Sequence, residues 1–283
     1  MLVRPKHRAL VLKLQHPDRV LSVIPTAKTL TVQGQKLTAV PHKSEEVQVL
    51  RNLGFEPPAP VDYYYDWPGQ FAPMSAQKDT VRFLTKHNRA YVLSDMGTGK
   101  SLSTLWAFDF LKREGLAKKL LVIAPLSTLQ RTWADEVFKH FPHLRYTVLH
   151  GTKKQRQQLL SNQNMDVYII NHDGVKVITD ELIERSDIDT VVLDELSQCA
   201  RNHGTARWKA LRKITKDKLR VWGLTGTPIP NEPTDAWAQC RLLTPEAVPA
   251  YFRHFQMQTM KQVSTYKWVA RDDALETVNK VMQ

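Results

Sequence analysis

Residues 94–101 read Ser94-Asp95-Met96-Gly97-Thr98-Gly99-Lys100-Ser101. Gly97 and Gly99 let successive backbone N–H groups turn inward around an oxyanion. Lys100 follows, placed to reach the β and γ oxygens of a bound triphosphate, and the Ser101 hydroxyl can hold Mg²⁺. An apolar run, Tyr91-Leu93, precedes the segment and a helical stretch follows it, so a helix N-terminus would add its positive end. This is the chemistry of a phosphate loop, with Met96, Gly97, Thr98, Gly99, Lys100 and Ser101 as the ATP-binding residues. Ser94 stands where the general pattern has its first glycine. Far downstream, Asp194 and Glu195 follow the apolar run Thr190-Leu193 directly. A carboxylate at the C-terminal end of a buried parallel strand faces the ligand crevice. Asp194 can then join Ser101 at Mg²⁺, and Glu195 can orient or deprotonate an attacking water. Alone, such an acidic pair reads equally well as a solvated turn; an upstream phosphate loop favours the catalytic reading of Lys100, Asp194 and Glu195.

Positioning these groups takes an α/β framework. From about residue 70 to 242, short apolar runs recur at Tyr91-Leu93, Leu120-Ala124, Thr147-Leu149, Val167-Ile170, Val191-Leu193 and Val221-Leu224, with helical stretches between several of them. That texture predicts buried, mostly parallel strands flanked by helices. Residues 1–55 predict a small mixed α+β module: strands at Ala9-Leu14, Val20-Ile24 and Thr29-Val32, a turn at Gln33-Gly34-Gln35 into Lys36-Val40, then a helix capped by Ser44 and ended at Gly54. Residues 56–69 form a Pro- and Tyr-rich linker. Its Tyr63-Tyr64-Tyr65 and Trp67 suit packing onto the main domain, with base stacking as the alternative. Residues 243–283 read as a polar, helical tail.

The chain of 283 residues has a formal net charge of +12 and only Cys199 and Cys240 for thiols. Two cysteines exclude a disulfide framework or a zinc cluster. His140 and His143 have loose metal-like spacing but no third ligand. No apolar run approaches the ~20 residues of a membrane helix, and the basic start, broken by Pro5 and Lys13, does not resemble a signal peptide. The expectation is an intracellular protein without a membrane partner: cytoplasmic in a prokaryote or a phage-infected cell, nuclear in a eukaryote.

The positive balance favours a polyanionic partner. The densest basic stretch runs from Arg207 through Lys209, Arg212, Lys213, Lys216 and Lys218 to Arg220. Lys153, Lys154 and Arg156 form a smaller one. Lys209, Arg212 and Lys213 are the candidate DNA contacts, since backbone affinity grows with the phosphates neutralised. A solvated helix face is the competing reading.

Further segments resemble one family. Ala124-Pro125-Leu126-Ser127, with Trp133 and Glu136, is similar to motif Ia of the Swi/Snf ATPases of helicase superfamily two. Asn171-His172-Asp173 lies where that family has a strand-end motif. Leu224-Thr225-Gly226-Thr227-Pro228, with Asn231 and Trp237, resembles its motif III, and Met74-Ser75-Ala76-Gln77 resembles its adenine-reading motif. Order and spacing agree over about residues 70 to 242. The resemblance implies a RecA-like lobe that hydrolyses Mg-ATP and moves on double-stranded DNA. It implies that Gln77 reads adenine, whose N6 and N7 need the donor and acceptor of an amide, and that Thr225, Gly226 and Thr227 couple the nucleotide site to the DNA side. A strand-separating helicase, or a nucleotide-gated DNA-binding module without turnover, are the alternatives.

The sequence also departs from the family. Ser197 replaces the usual His two places after the Glu, and Arg201-Asn202 sits one residue later than the family's basic-Asn pair. Leu196 and Ser197 resemble smaller phage-encoded members. The resemblance further implies a second RecA-like lobe as partner, which supplies an arginine finger. The roughly 40 residues after Leu243 are too few for such a lobe. These 283 residues are therefore expected to be part of a longer motor, with a protein that has lost its second lobe as the alternative, and to be impaired in turnover by themselves.

Overall fold

The structure is a computed structural model that describes residues 1–265 and 267–282. Strands β1 (Leu2–Arg4), β2 (Ala9–Leu12), β3 (Lys28–Val32) and β4 (Gln35–Pro41) form an antiparallel sheet in the order β1-β2-β4-β3. Helices α1 (Asp18–Leu21) and α2 (Ser44–Asn52) accompany it, and Leu10, Val20, Val40, Val47 and Leu50 make its small core. Two expectations fail here. Val20-Ile24 is not a strand: it is α1 and the turn after it, because Val20 and Ile24, four residues apart, both face the core and Ile24 N donates to the Val20 carbonyl at 2.9 Å. Ser44 does not cap α2; Lys43 holds the capping position, and the Ser44 Oγ has no hydrogen-bond partner among the described residues. Gly54 does close the helix region, at φ +87°.

The proline-rich segment contains a short helix, α3 (Val61–Tyr64), and is fastened on both sides. His42 Nε2 donates to the Pro58 carbonyl at 2.9 Å, which leaves Nδ1 to accept from the Tyr64 hydroxyl at 2.9 Å. Tyr65 is buried, donates to Asp109 Oδ2 at 2.7 Å and packs edge-on against Trp67 and Phe110. Tyr65 and Trp67 thus pack onto the main domain as expected, whereas Tyr64 packs on Arg8 and His42 of the antiparallel module; Tyr63 remains exposed.

The remaining elements, in chain order, are α4 (Ser75–Leu84), β5 (Arg89–Val92), α5 (Lys100–Arg113), β6 (Lys119–Ala124), α6 (Asp135–His140), β7 (Tyr146–Val148), α7 (Lys153–Ser161), β8 (Val167–Asn171), α8 (Thr179–Glu184), β9 (Ile188–Leu193), α9 (Leu196–Ala200), α10 (Ala206–Thr215), β10 (Arg220–Leu224), α11 (Asp235–Leu243), α12 (Phe252–Thr259), β11 (Met260–Ser264), β12 (Lys267–Ala270) and α13 (Ala274–Val281). Six strands make one all-parallel sheet in the order β5-β10-β9-β6-β8-β7. Helices cover both faces, which is the RecA-like arrangement.

Continuous apolar runs form these strands because both faces are buried. Successive side chains alternate between two cores: Leu121 and Ile123 join one, with Val191, Leu193 and Ile170, while Leu120, Val122 and Ala124 join the other, with Val192 and Ile169. Each such side chain contributes roughly 1.5–3 kcal/mol by leaving water. Helix α5 is buried from Leu102 through Leu111. Its Asp109, fully buried, accepts from the Tyr65 hydroxyl, lies 2.6 Å from His143 Nε2 and pairs with Arg113 at 3.0 Å. A buried carboxylate needs such partners.

The tail is not wholly helical: β11 and β12 form an antiparallel hairpin between α12 and α13. Nor is it detached, since Phe255, Val278 and Met282 enter the same core as β9 and α11.

Candidate active site

Three neighbouring strands decide which loops meet. Val92 on β5 is in register with Leu224 on β10, and Gly223 on β10 with Leu193 on β9. Residues 93–101, 225–227 and 194–195 therefore leave the same edge of the sheet side by side, although about 130 positions separate the first from the second in sequence.

In the phosphate loop, Gly97 and Gly99 have φ of +78° and +74°. A side chain at Gly99 would be strained and would also collide with the Gln77 amide. Gln77 is buried, its Oε1 accepts from Met74 N at 2.9 Å, and its Nε2 faces Gly99. The adenine-motif residue and the phosphate loop are thus in direct contact. Lys100 opens α5, and its ammonium donates to the carbonyls of Ser94 and Asp95 at 2.7 and 2.9 Å. Thr98 Oγ1 braces the loop through the Asp95 carbonyl at 2.9 Å. Met96 stands at the tip, 77% exposed. Ser101 lies on the first turn of α5, beside Lys100.

Asp194 is buried at the end of β9. One carboxylate oxygen accepts from Trp133 Nε1 at 2.9 Å and the other from Glu195 N at 3.0 Å. Burial raises its pKa, while the Trp133 bond and the positive charge of Lys100 oppose that. Glu195 adopts a left-handed conformation, φ +48°, which is costly for a residue with a Cβ. The turn this creates starts α9. His172, after β8, takes the Ala124 carbonyl with its N–H at 3.1 Å and lies with Nε2 2.8 Å from the Asp194 carbonyl. Because a carbonyl only accepts, Nε2 carries the proton; burial lowers the pKa of His172 to about 4 and keeps the ring neutral. Glu136 is pushed up to about 7 by burial and then by the Asp194 carboxylate, and its Oε2 has no partner among the described residues.

Gly226 packs against the phosphate loop: a Cβ there would stand 3.3 Å from the Ser94 carbonyl oxygen and 3.5 Å from Met96 N. Thr225 is buried; its N donates to the Val92 carbonyl at 3.1 Å and its Oγ1 lies 3.0 Å from Ser197 Oγ. Thr227 N donates to the Thr225 Oγ1 at 3.2 Å, and Thr227 itself is exposed. From the sequence, Ser197 stands out as a replaced His and, with Leu196, as a likeness to phage-encoded members, without any link to Thr225. Trp133 and Glu136 stand out there only as family signatures, without their relation to Asp194. An apolar indole three residues before a Glu gives no sign of which carboxylate it will reach.

The basic residues do not join this cluster. Lys209, Arg212 and Lys213 lie on the exposed side of α10, whose other side buries Trp208, Leu211 and Ile214. The stretch 207–220 is less available than its sequence suggests. Lys218 is buried with Nζ on the Arg185 carbonyl at 2.8 Å, Arg220 is buried on the Leu116 carbonyl at 2.7 Å, and Arg207 pairs with Asp173 at 2.9 Å. In the smaller patch Arg156 is buried and holds the Gly151 carbonyl at 2.9 Å, so only Lys153 and Lys154 are exposed.

The model of the SNF2-related domain family matches residues 76–283. The chain belongs to this family. Among its relatives, protein p41 of Acyrthosiphon pisum secondary endosymbiont phage 1 is 34% identical over 176 residues, covering 60% of this chain and 38% of p41. The ATP-dependent DNA helicase DDM1 of Arabidopsis thaliana is 28% identical over 163 residues, covering 55% of this chain and 21% of that protein. Among solved structures, the Sulfolobus solfataricus SWI2/SNF2 ATPase core in complex with dsDNA superposes with a TM-score of 0.60 at 26% identity, covering 68% of this chain and 39% of that one. The SNF2-related chain thus spans well under half the length of these relatives. No helix among its described residues is long and apolar enough to cross a membrane.

Proposed function

We propose that this SNF2-related chain is the first motor lobe of a DNA-dependent ATPase that translocates on or remodels double-stranded DNA, working with a second RecA-like lobe. The observation that supports it best is the adjacency of β5, β10 and β9, which collects the phosphate loop, Thr225-Gly226 and Asp194-Glu195 at one edge of the sheet.

The residues present fit Mg-ATP. Two left-handed glycines, the α5 N-terminus and Lys100 form a cationic cradle, and a buried carboxylate lies within electrostatic reach of that lysine. Bound Mg-ATP supplies the phosphoanhydride and a cation that draws charge from its oxygens. Lys100 would leave the Ser94 and Asp95 carbonyls for phosphate oxygens. Ser101 and Asp194 would hold the cation, with Trp133 and the Glu195 N–H fixing the orientation of the Asp194 carboxylate. Glu195 would accept the proton of the attacking water. Gln77, already against Gly99, would bind the adenine edge. Gly226, against Ser94 and Met96, would pass movement of the loop to Thr225, and Thr225 to Ser197 in α9.

Lys209, Arg212 and Lys213 are proposed to touch backbone phosphates. The structural neighbour was solved with dsDNA, and the exposed side of α10 carries all three cations.

Phosphate release from Mg-ATP, measured with and without duplex DNA, tests the proposal. Binding of Mg-ATP with slow release is expected from these residues alone, because an arginine finger from a partner lobe is worth roughly 10³ to 10⁵ in rate. Release near motor rates that Glu195→Gln abolishes would show that no partner lobe is needed. Absence of nucleotide binding would overturn the assignment altogether.

A further inference from the structure

At the opposite edge of the large sheet, where β5 and β10 begin, a groove separates α2 from the end of α4. It consists of two adjoining hollows of about 860 and 320 Å³ that share Gln48 and His87. Lys86 lines the larger hollow and Arg51 the smaller. Neither side chain forms an ion pair among the described residues. The Arg51 Nη1 is buried and without a hydrogen-bond acceptor, and the Ser44 hydroxyl on the wall of the larger hollow is likewise buried and unpartnered.

The acids nearby do not neutralise this pair. Asp62 is engaged by Arg82 Nε at 2.7 and 2.8 Å. Glu45 and Glu56 are exposed at the rim. Two more cations face the larger hollow: Arg89, which holds the Leu242 and Lys218 carbonyls, and Arg220, which holds that of Leu116. Carbonyls satisfy their donors, while Glu246 acts on Arg89 and Asp189 on Arg220 only through space, without an ion pair among the described residues. The ammonium of Lys86 is pushed down first by burial and then by the neighbouring guanidinium of Arg51. Like charges brought together on two separate elements, one of them with a buried donor unused, are unfavourable until an anion joins them.

We propose that this groove binds a phosphate oxyanion, with Arg51 of α2 and Lys86 of the α4 end as its cationic ligands. A tetrahedral oxyanion carries more than one acceptor in each direction and can satisfy a guanidinium and an ammonium at once. A carboxylate can bridge two cations as well, as Asp173 does between Lys176 and Arg207, but it brings fewer acceptor oxygens and less charge than a phosphate. The site lies away from the nucleotide edge and is independent of its assignment. Its two ligands come from the antiparallel module and from the lobe, so an anion bound there clamps one onto the other. The phosphate belongs either to a nucleic-acid backbone or to a free phosphate ion.

The test compares the whole chain with Arg51→Met/Lys86→Met, with the phosphate loop filled by saturating Mg-ADP. The Lys100→Ala chain gives the same readout with that loop disabled. Inorganic phosphate, titrated at constant ionic strength, should raise the melting temperature of the unsubstituted chain. The double variant should melt no lower than the unsubstituted chain in phosphate-free buffer, because a repulsion has gone, and should show no phosphate response. If the double variant does not fold, Lys86→Met and Arg51→Gln separately should each weaken phosphate binding about tenfold or more. Equal phosphate responses in variant and unsubstituted chains, or none in the unsubstituted chain, would overturn the site. Duplex DNA distinguishes the sources. If the backbone supplies the phosphate, the slope of log affinity against log salt should become shallower by about 0.9 in the double variant, because both cations share one phosphate. An unchanged slope with a lost phosphate response assigns the site to the free ion.

Discussion

The hydroxyls of Ser197 and Thr225 lie 3.0 Å apart in a dry interior, one on α9 just beyond the acidic pair, the other at the end of β10. Each can donate or accept. Where the family places an imidazole, this chain has a hydroxyl that directly joins α9 to the end of β10. Thr225 Oγ1 also accepts from Thr227 N, so its oxygen stays hydrogen-bonded whichever of the two hydroxyls donates. Ser197→Ala should cost about 1 kcal/mol of stability. It should leave nucleotide affinity close to unchanged and reduce the factor by which duplex DNA stimulates hydrolysis in a chain joined to a second lobe. An unchanged stimulation factor would remove Ser197 from the coupling path.

Lys100→Ala removes the only side-chain cation of the phosphate loop. Calorimetry with Mg-ADP should show most of the binding lost. Equal affinities would mean that the nucleotide binds elsewhere.

Gly99→Ala combines two faults: a left-handed φ of +74° and a collision with Gln77. The backbone conformation alone costs roughly 1–2 kcal/mol. A lowered melting temperature is expected together with weakened discrimination of ATP from GTP, since the displaced amide is the proposed adenine reader. A Gly99→Ala chain that melted and discriminated normally would separate Gln77 from the loop.

Reversing Lys209, Arg212 and Lys213 to Glu should weaken binding to all duplexes alike and flatten its salt dependence, as loss of phosphate contacts does. The comparison is Lys153→Glu/Lys154→Glu, expected to matter less. Arg156 is excluded because its guanidinium holds main-chain carbonyls inside the fold. Undiminished duplex binding at low salt would make the α10 face merely solvated.

Cys199 and Cys240 are buried free thiols, and burial pushes Cys199 up to about 12 and Cys240 upward as well. Thiolate is the reactive form. The native chain should therefore resist alkylation at pH 8 and react at both positions once unfolded in guanidinium. Rapid native labelling would show that α9 or α11 opens.

The large sheet was legible because burial on both faces demands unbroken apolar runs, and Leu120-Ala124 or Val191-Leu193 can hardly be read otherwise. Val20-Ile24 misled because Ser22 splits it into two apolar pairs whose spacing fits a strand or a single helical turn; the structure settles it through the 20/24 pair. Lys218 and Arg220 misled for another reason. Sequence displays their charge but not the carbonyls of Arg185 and Leu116, contributed by distant turns, that draw them inward. The phosphate loop and acidic pair were legible as chemistry. Their wiring through Trp133, His172 and Ser197 was not, because it depends on which strands are neighbours. The order β5-β10-β9 places residues about 100 positions apart at one sheet edge.

The close approach of Gly226 to the phosphate loop makes residue 226 a gauge at that edge of the sheet: a Cβ there would stand 3.3 Å from the Ser94 oxygen, closer than side chains ordinarily pack. In the proposed motor, the hydrogen atom in place of a side chain lets the end of β10 lie directly on the loop, so that a displacement of Ser94 or Met96 by a bound triphosphate would reach Thr225 with no side chain in between.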